Sequence, residues 1–438
     1  MLFLRHRRAP IAVAALLVTA PAAARAACNV LEVDRDGNGS VDVRLLGAAG
    51  RQTALLDILQ DGYQASIDCN GDGDFADAGD VTVSSTAAIE TYHVELGGGD
   101  LATVRLGEDL TGAVKNVVAT LAAGTNRLTF VSQGFGLLGG SSLMIDVIGG
   151  AGHDNVTVDF TGSTIDASWV AVRADLLAGN DTAKWIGAAQ TLNSTVDVDA
   201  FAAAGRNGLR FDDGGGRAVG STIRFYGEGS DVTTDVETYG ATLAGSLDGG
   251  SRLELGFNML GGNDKFTGNL DLAGFAIDPA APAGSEAWLR VQADRGFDVV
   301  SVTDGGSVGP ATINGLLSVD VSGGNQADSL FFDMRGVTGS GTLRYRGEGG
   351  THRDLLDAKL LADASSTNVL DIALQGGPEN DLGSPPGDNL KLDFVDDGAT
   401  TASFGAQALF DGGLDGLDRC DLTGNGARQS LGCELGTR

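Results

Sequence analysis

Apolar and polar residues alternate with a period of two along most of this chain, in short runs broken by glycine. One such stretch has Ile145 and Val147, then Gly149, Gly150 and Gly152, then Val156 and Val158. Alternation of this kind puts every second side chain on one face of a strand, so the stretch predicts strand, tight turn, strand. The unit recurs. With Asp154 as anchor, an Asp or Asn stands at 100, 126, 154, 181, 207, 231, 264, 298, 328, 354 and 388, at steps of 24 to 34 residues. Two residues beyond the anchor, ten of the eleven residues are apolar; four beyond, nine are, so each anchor opens a strand with one buried face. Asp231, followed by Thr233 and Asp235, fits worst. A second alternating run precedes the glycines at Val196 and Val198, Leu253 and Leu255, Val319 and Val321, and Ile372 and Leu374. That last pair fits an anchor at Asp381 better than one at Asp388, which would make Leu382–Asp388 an insertion.

One such unit cannot bury both strands alone, whereas stacked units can. The pattern therefore predicts an all-β chain, a parallel β-solenoid (β-helix) of about ten coils over residues 88–404. A helical reading fails on the period and on the 68 glycines. Tandem antiparallel β-sandwiches are the alternative, because their hairpins also turn on Gly-Asn-Asp and Gly-Gly. Residues 27–87 then form an N-terminal loop region and residues 405–438 a C-terminal cap.

Composition adds a compartment. Arg5, Arg7 and Arg8, the apolar run Ile11–Ala20 and Ala24-Arg25-Ala26 match a secretory signal peptide over residues 1–26, so a secreted or cell-surface protein is expected. Cys28 lies near the cut, but Arg25 stands where a lipoprotein signal wants Leu. No apolar run is long enough for a transmembrane helix. Without residues 1–26 the chain keeps 25 of its 29 basic residues against 58 acidic ones, a net charge of −33. Such a chain repels nucleic acid and anionic membranes, and it attracts cations. The acids also simply keep an exported protein soluble. The four cysteines allow three pairings, of which Cys28–Cys69 and Cys420–Cys433 pin each end separately.

Two short loops carry a metal signal. In DRDGNGSVD, Asp34, Asp36, Asn38, the Ser40 carbonyl and Asp42 fall at positions 1, 3, 5, 7 and 9 of an EF-hand-like loop, with Gly39 at 6. In DCNGDGD, Asp68, Asn70 and Asp72 fall at 1, 3 and 5, Gly73 at 6 and the Asp74 carbonyl at 7. Alternate oxygens converging in a tight turn suit Ca2+, and magnesium seldom uses such all-protein cages. Position 12 holds Leu45 and Gly79 where an acid is usual, and Asp77 or Asp80 would substitute in the second loop. Both loops resemble the calcium loops of dockerins. The turn GGAGHDNV resembles the haemolysin-type (RTX) calcium repeat, which implies that Asp154 is a calcium ligand. That family repeats in tandem every nine residues, whereas these turns recur at about 27. The turn-forming habit of Asp and Asn explains the core anchors without an ion.

No catalytic constellation stands out. His93, His153 and His352 are scattered, and the Gly134-x-Gly136-x-x-Gly139 run is followed by a strand pattern instead of the helix a dinucleotide site needs. The expectation is an exported calcium-binding structural or surface-interaction protein without catalytic activity, whose partners are calcium ions and a cell-surface polysaccharide or protein. The alternatives are a polysaccharide-active β-helix lyase or glycosidase, which needs a cleft with Arg or Lys beside acids, and a carbohydrate-binding adhesin, which needs an exposed aromatic row.

Overall fold

The structure, a computed structural model, describes residues 28–34, 42–47, 50–77, 79–270, 275–280, 284–303, 311–362, 369–376, 388–396, 407–411, 419–424 and 428–431. Among them are 38 strands and no helix. The chain is a parallel β-solenoid of about ten turns, as the alternation predicts. One coil shows the plan. Strand Ser142–Ile148 lies in a first sheet, the glycine corner follows, strand Gly152–Asp159 lies in a second sheet, and the short strand Thr164–Asp166 of that same sheet pairs with Leu137–Leu138 and Gln190–Leu192 of the adjacent coils. The next coil repeats this in parallel: Leu143, Ile145 and Val147 pair with Val170, Val172 and Ala174, and Val156 and Val158 with Ala183 and Trp185.

These inward residues fill the coil. Val156, Val158, Ile145, Val147 and Ile165 are all at most 2% exposed. Aromatic rings stack along the axis, with Phe130–Phe160 and Phe160–Trp185 centroids 5.4 and 5.2 Å apart and Phe257–Phe266 4.8 Å apart. Burying whole rings coil after coil is what compensates the ordering of so many short strands.

The antiparallel pairing of the alternative fold occurs at the N-terminal end. Asn29–Val33 pairs antiparallel with Asp42–Leu46, which joins the first sheet in parallel through Thr91–Leu96. Thr53–Leu59 joins the second sheet in parallel through Leu101–Leu106, and carries Gly62–Asp68 and then Val81–Ser85 antiparallel on its other side. Hairpins there cover the edges that a bare parallel stack would expose. Parallel pairing also runs past residue 404, through Gln407–Asp411, Arg419–Gly424 and Arg428–Leu431.

Two anchors need correction. Thr238 pairs with Gly208 on one side and Lys265 on the other, so Glu237, not Asp231, occupies the corner. Its longer side chain still reaches Asn207, and residues 238–243 regain the alternation with Tyr239 and Ala241 buried. Asp231 is 74% exposed and faces Arg295. Leu390 pairs with Leu356, so Asp388 and not Asp381 is the anchor after Asp354; Asp381 lies outside the described residues.

Candidate functional site

The Asp68–Asp80 loop leaves the strand Gly62–Asp68 at a buried acid. Asp68 is fully buried, and its two carboxylate oxygens accept the Gly71 and Gly73 N–H groups, both at 2.7 Å. Asn70 Oδ1 accepts the Asp72 N–H and Asp72 Oδ1 accepts the Asp74 N–H, each at 2.9 Å. The Asn70 amide donates to Asp72 and Asp77, both at 3.1 Å. Asp80 closes the loop by accepting the N–H groups of Cys69 (2.9 Å) and Asp77 (3.0 Å). The amide thus sits between two carboxylates that also meet each other. The Asn70 bond, the largest single cause, pulls the Asp77 carboxyl down, but the Asp72 contact and charge, desolvation and the Asp74 charge together make the net shift upward. Asp72 is shifted down, chiefly by the Asp74 N–H. A cation in place of the amide N–H groups would meet Asp72 and Asp77 directly, with Asn70 turned to present its oxygen. The fit is partial. Among the described residues no three His, Cys, Asp or Glu side chains are grouped tightly enough to hold a metal, so backbone and amide oxygens must complete the shell. Asp77 and Asp80, the substitutes for position 12, do lie on this loop.

Of the first loop, Asp36, Asn38 and Ser40 lie outside the described residues. Asp42 is buried, 3.7 Å from His93 Nε2. Cys28 and Cys69 lie side by side with free thiols, the first buried and the second half-buried. Burial pushes the Cys69 thiol up to about 12, and the adjacent Cys28 thiol adds to the shift. The Cys420 and Cys433 side chains lie outside the described residues.

Asp154 points into the coil. It is 1% exposed; Oδ1 accepts the Asn126 amide at 3.0 Å and Oδ2 the Gly150 N–H at 2.9 Å. It belongs to a column. The Asp154 N–H donates to Asp181 Oδ1 at 2.8 Å, the Asp181 N–H to Asn207 Oδ1 at 3.0 Å, and the pattern resumes from Glu237 through Asp264, Asp298, Asp328 and Asp354 to Asp388. Gln52 heads the column, its N–H donating to Asp100 Oδ1 at 2.9 Å. The glycine two residues before the anchor has a steric cause. A Cβ on Gly179 would lie 1.4 Å from the Gly152 carbonyl oxygen, so the corners stack backbone on backbone.

A second column was not foreseen. Ser141, Ser168, Ser194, Ser221, Ser251 and Ser285 are all buried at the corner that enters the first sheet. Ser168, Ser194, Ser221 and Ser251 each donate their N–H to the next serine's Oγ, at 3.0 to 3.2 Å. A serine thirteen residues before Asp154, Asp181, Asn207, Asp264 and Asp298 is the signal that would have revealed it.

No family model, curated protein or solved structure matches this chain. The remaining chemistry is on the outer face of the first sheet. Arg173 lies 5.6 Å over the Phe201 ring, Phe201 and Tyr226 are 6.0 Å apart, and Arg290 lies 5.3 Å over Trp288. Arg224 bridges Asp197 (3.4 Å) and Glu254 (3.0 Å) on the same face. A separate open depression of about 420 Å³ is lined by Thr182, Arg206, Asn207, Gly208, Val236 and Thr238.

Proposed function

We propose that this chain is an exported, calcium-stabilised structural or surface-interaction protein. The observation that carries the reading is the use made of its polar groups. The recurring anchors and the serines bond to the backbone of neighbouring coils, so the repeat itself is a means of stacking. Polar columns of this kind satisfy buried N–H groups that each corner would otherwise orphan. The calcium assignment rests on the Asp68–Asp80 loop, where Asp72 and Asp77 share one amide at the rim of the N-terminal hairpins. Export rests on the signal-like residues 1–26, and in an oxidising compartment an oxidised dithiol would accept two electrons from Cys28 and Cys69 and join them. The Asp34→Ala, Asp68→Ala double variant tests the calcium part: it should lose most of the calcium-dependent rise in melting temperature.

The outer-face rings of Phe201, Tyr226 and Trp288 favour a second reading, the carbohydrate-binding adhesin. Half-buried rings beside Arg and acid pairs offer apolar faces and polar groups suited to sugars. Under that reading, Trp288→Ala combined with Tyr226→Ala abolishes retention on insoluble polysaccharides while leaving the melting temperature nearly unchanged. Equal retention of the variant and the wild type rules it out.

A further inference from the structure

The corner column is not chemically uniform. At Asn126 and Asn207 the amide nitrogen donates twice: to the turn carbonyl four residues back, of Ala122 or Ala203, at 2.7 Å, and to the next coil's carboxylate, Asp154 Oδ1 at 3.0 Å or Glu237 Oε1 at 2.8 Å. From Asp264 onward only Asp stands in this place. Asp264, Asp298 and Asp328 are at most 2% exposed, and each Oδ1 accepts one N–H from the preceding coil, at 2.7 to 2.9 Å. Each Oδ2, the atom in the position of the amide nitrogen, is shielded from solvent and has no donor. The groups facing these carboxyls are further acids. Glu237 and Asp235 face Asp264, Asp294 faces Asp298, and Asp354 faces Asp328 from the next coil; Tyr239, bonded to Glu237, is the neighbouring phenol. No Lys, Arg or His among the described residues pairs with the three, and Arg295 turns outward to Asp231. Adjacent buried anions a single coil apart, without a cation or a second donor, are untenable.

We propose that Asp264, Asp298 and Asp328 form a proton-holding column, in which each carboxyl carries a proton on Oδ2 and donates it as the amides of Asn126 and Asn207 donate theirs. The protons make the column a row of neutral donors and acceptors, and no metal is needed. Burial, the largest cause for all three, pushes Asp264 up to about 8, Asp298 to about 7 and Asp328 to about 9. An acid whose folded value is raised binds more protons folded than unfolded. Its contribution is fully present below the unfolded value of about 3.9 and is lost as pH rises towards the folded value. This half of the solenoid therefore loosens as pH rises from about 4 to about 9. The column goes beyond the calcium reading and is independent of it.

The test is melting against pH from about 3.5 to 9, in chelator, for wild type, Asp298→Asn with Asp328→Asn, and the exposed control Asp231→Asn. A permanent amide should make the double variant melt several degrees above wild type at pH 9, with the two converging below about pH 4, while the control follows wild type. A double variant with the wild-type pH slope, or one that melts lower at pH 9, overturns the proposal. So does alkaline loosening that calcium reverses in an Asp34→Ala, Asp68→Ala background, since a cation would then hold the column. If the double variant does not fold, infrared spectra of the intact wild type decide: a protonated-carboxyl C=O band at pH 7 that vanishes by pH 10 is expected, and its absence at pH 7 overturns the assignment.

Discussion

At Asp154 two donors from different parts of the chain, the Asn126 amide and the Gly150 N–H, converge on one buried carboxylate. Removing the acceptor orphans both, at a cost of about 1–3 kcal/mol for each buried group. Asp154→Ala should therefore melt well below wild type, and Asp154→Asn, which keeps one oxygen, should fall between them. The loss should be the same in calcium and in chelator. If it appears in calcium alone, Asp154 ligates the ion as the haemolysin-type likeness implies. The Asp-Gly spacing of that motif has its own cause here, because the corners admit no Cβ where Gly152 and Gly179 stack.

Elements are held by their neighbours in adjacent coils more than by their own length. Strand Arg252–Asn258 buries Phe257, whose ring lies 5.4 Å from Phe225, 4.8 Å from Phe266 and 6.2 Å from Tyr239, so three other strands lose contacts if it goes. Phe257→Ala should cost about 3–5 kcal/mol in a denaturant titration, with the hydrogen-exchange protection of all four strands reduced together. Loss confined to Arg252–Asn258 would contradict that coupling. At the N-terminal end Cys28 and Cys69 lie side by side as free thiols beside the hairpin strands, and the proposed disulfide would join them there. Reduction of protein recovered from an oxidising compartment should lower protection there first, and non-reducing peptide mapping should recover a Cys28–Cys69 peptide; two alkylatable thiols at these positions would refute the proposed bond.

For the whole molecule, the alternation of apolar residues was enough to reveal the stack, its period and the inward face, because a coil repeats one geometric problem many times. Where the sequence misled, chemistry could be substituted without changing geometry. Glu237 replaced an Asp at the corner with one more methylene, and the register moved six residues from Asp231. The serine column escaped because serine carries no hydrophobic signal. The N-terminal loops were legible as oxygen-rich turns, but loop spacing does not separate an ion site from a self-capped turn, and Asp68 caps its own loop. A net charge of −33 after residues 1–26 opposes compactness throughout, and a bound divalent cation relieves part of it. A site filled at 100 times its dissociation constant adds about 2.7 kcal/mol. The central claim is that calcium acts through these loops while the repeat acids serve the stack. A calcium titration of the melting temperature, with metal content assayed alongside, tests it in wild type and in Asp34→Ala with Asp68→Ala. The account predicts a millimolar calcium-specific rise in wild type that is mostly absent from the double variant; an undiminished rise in the variant, or a wild type on which magnesium acts as calcium does, would contradict it.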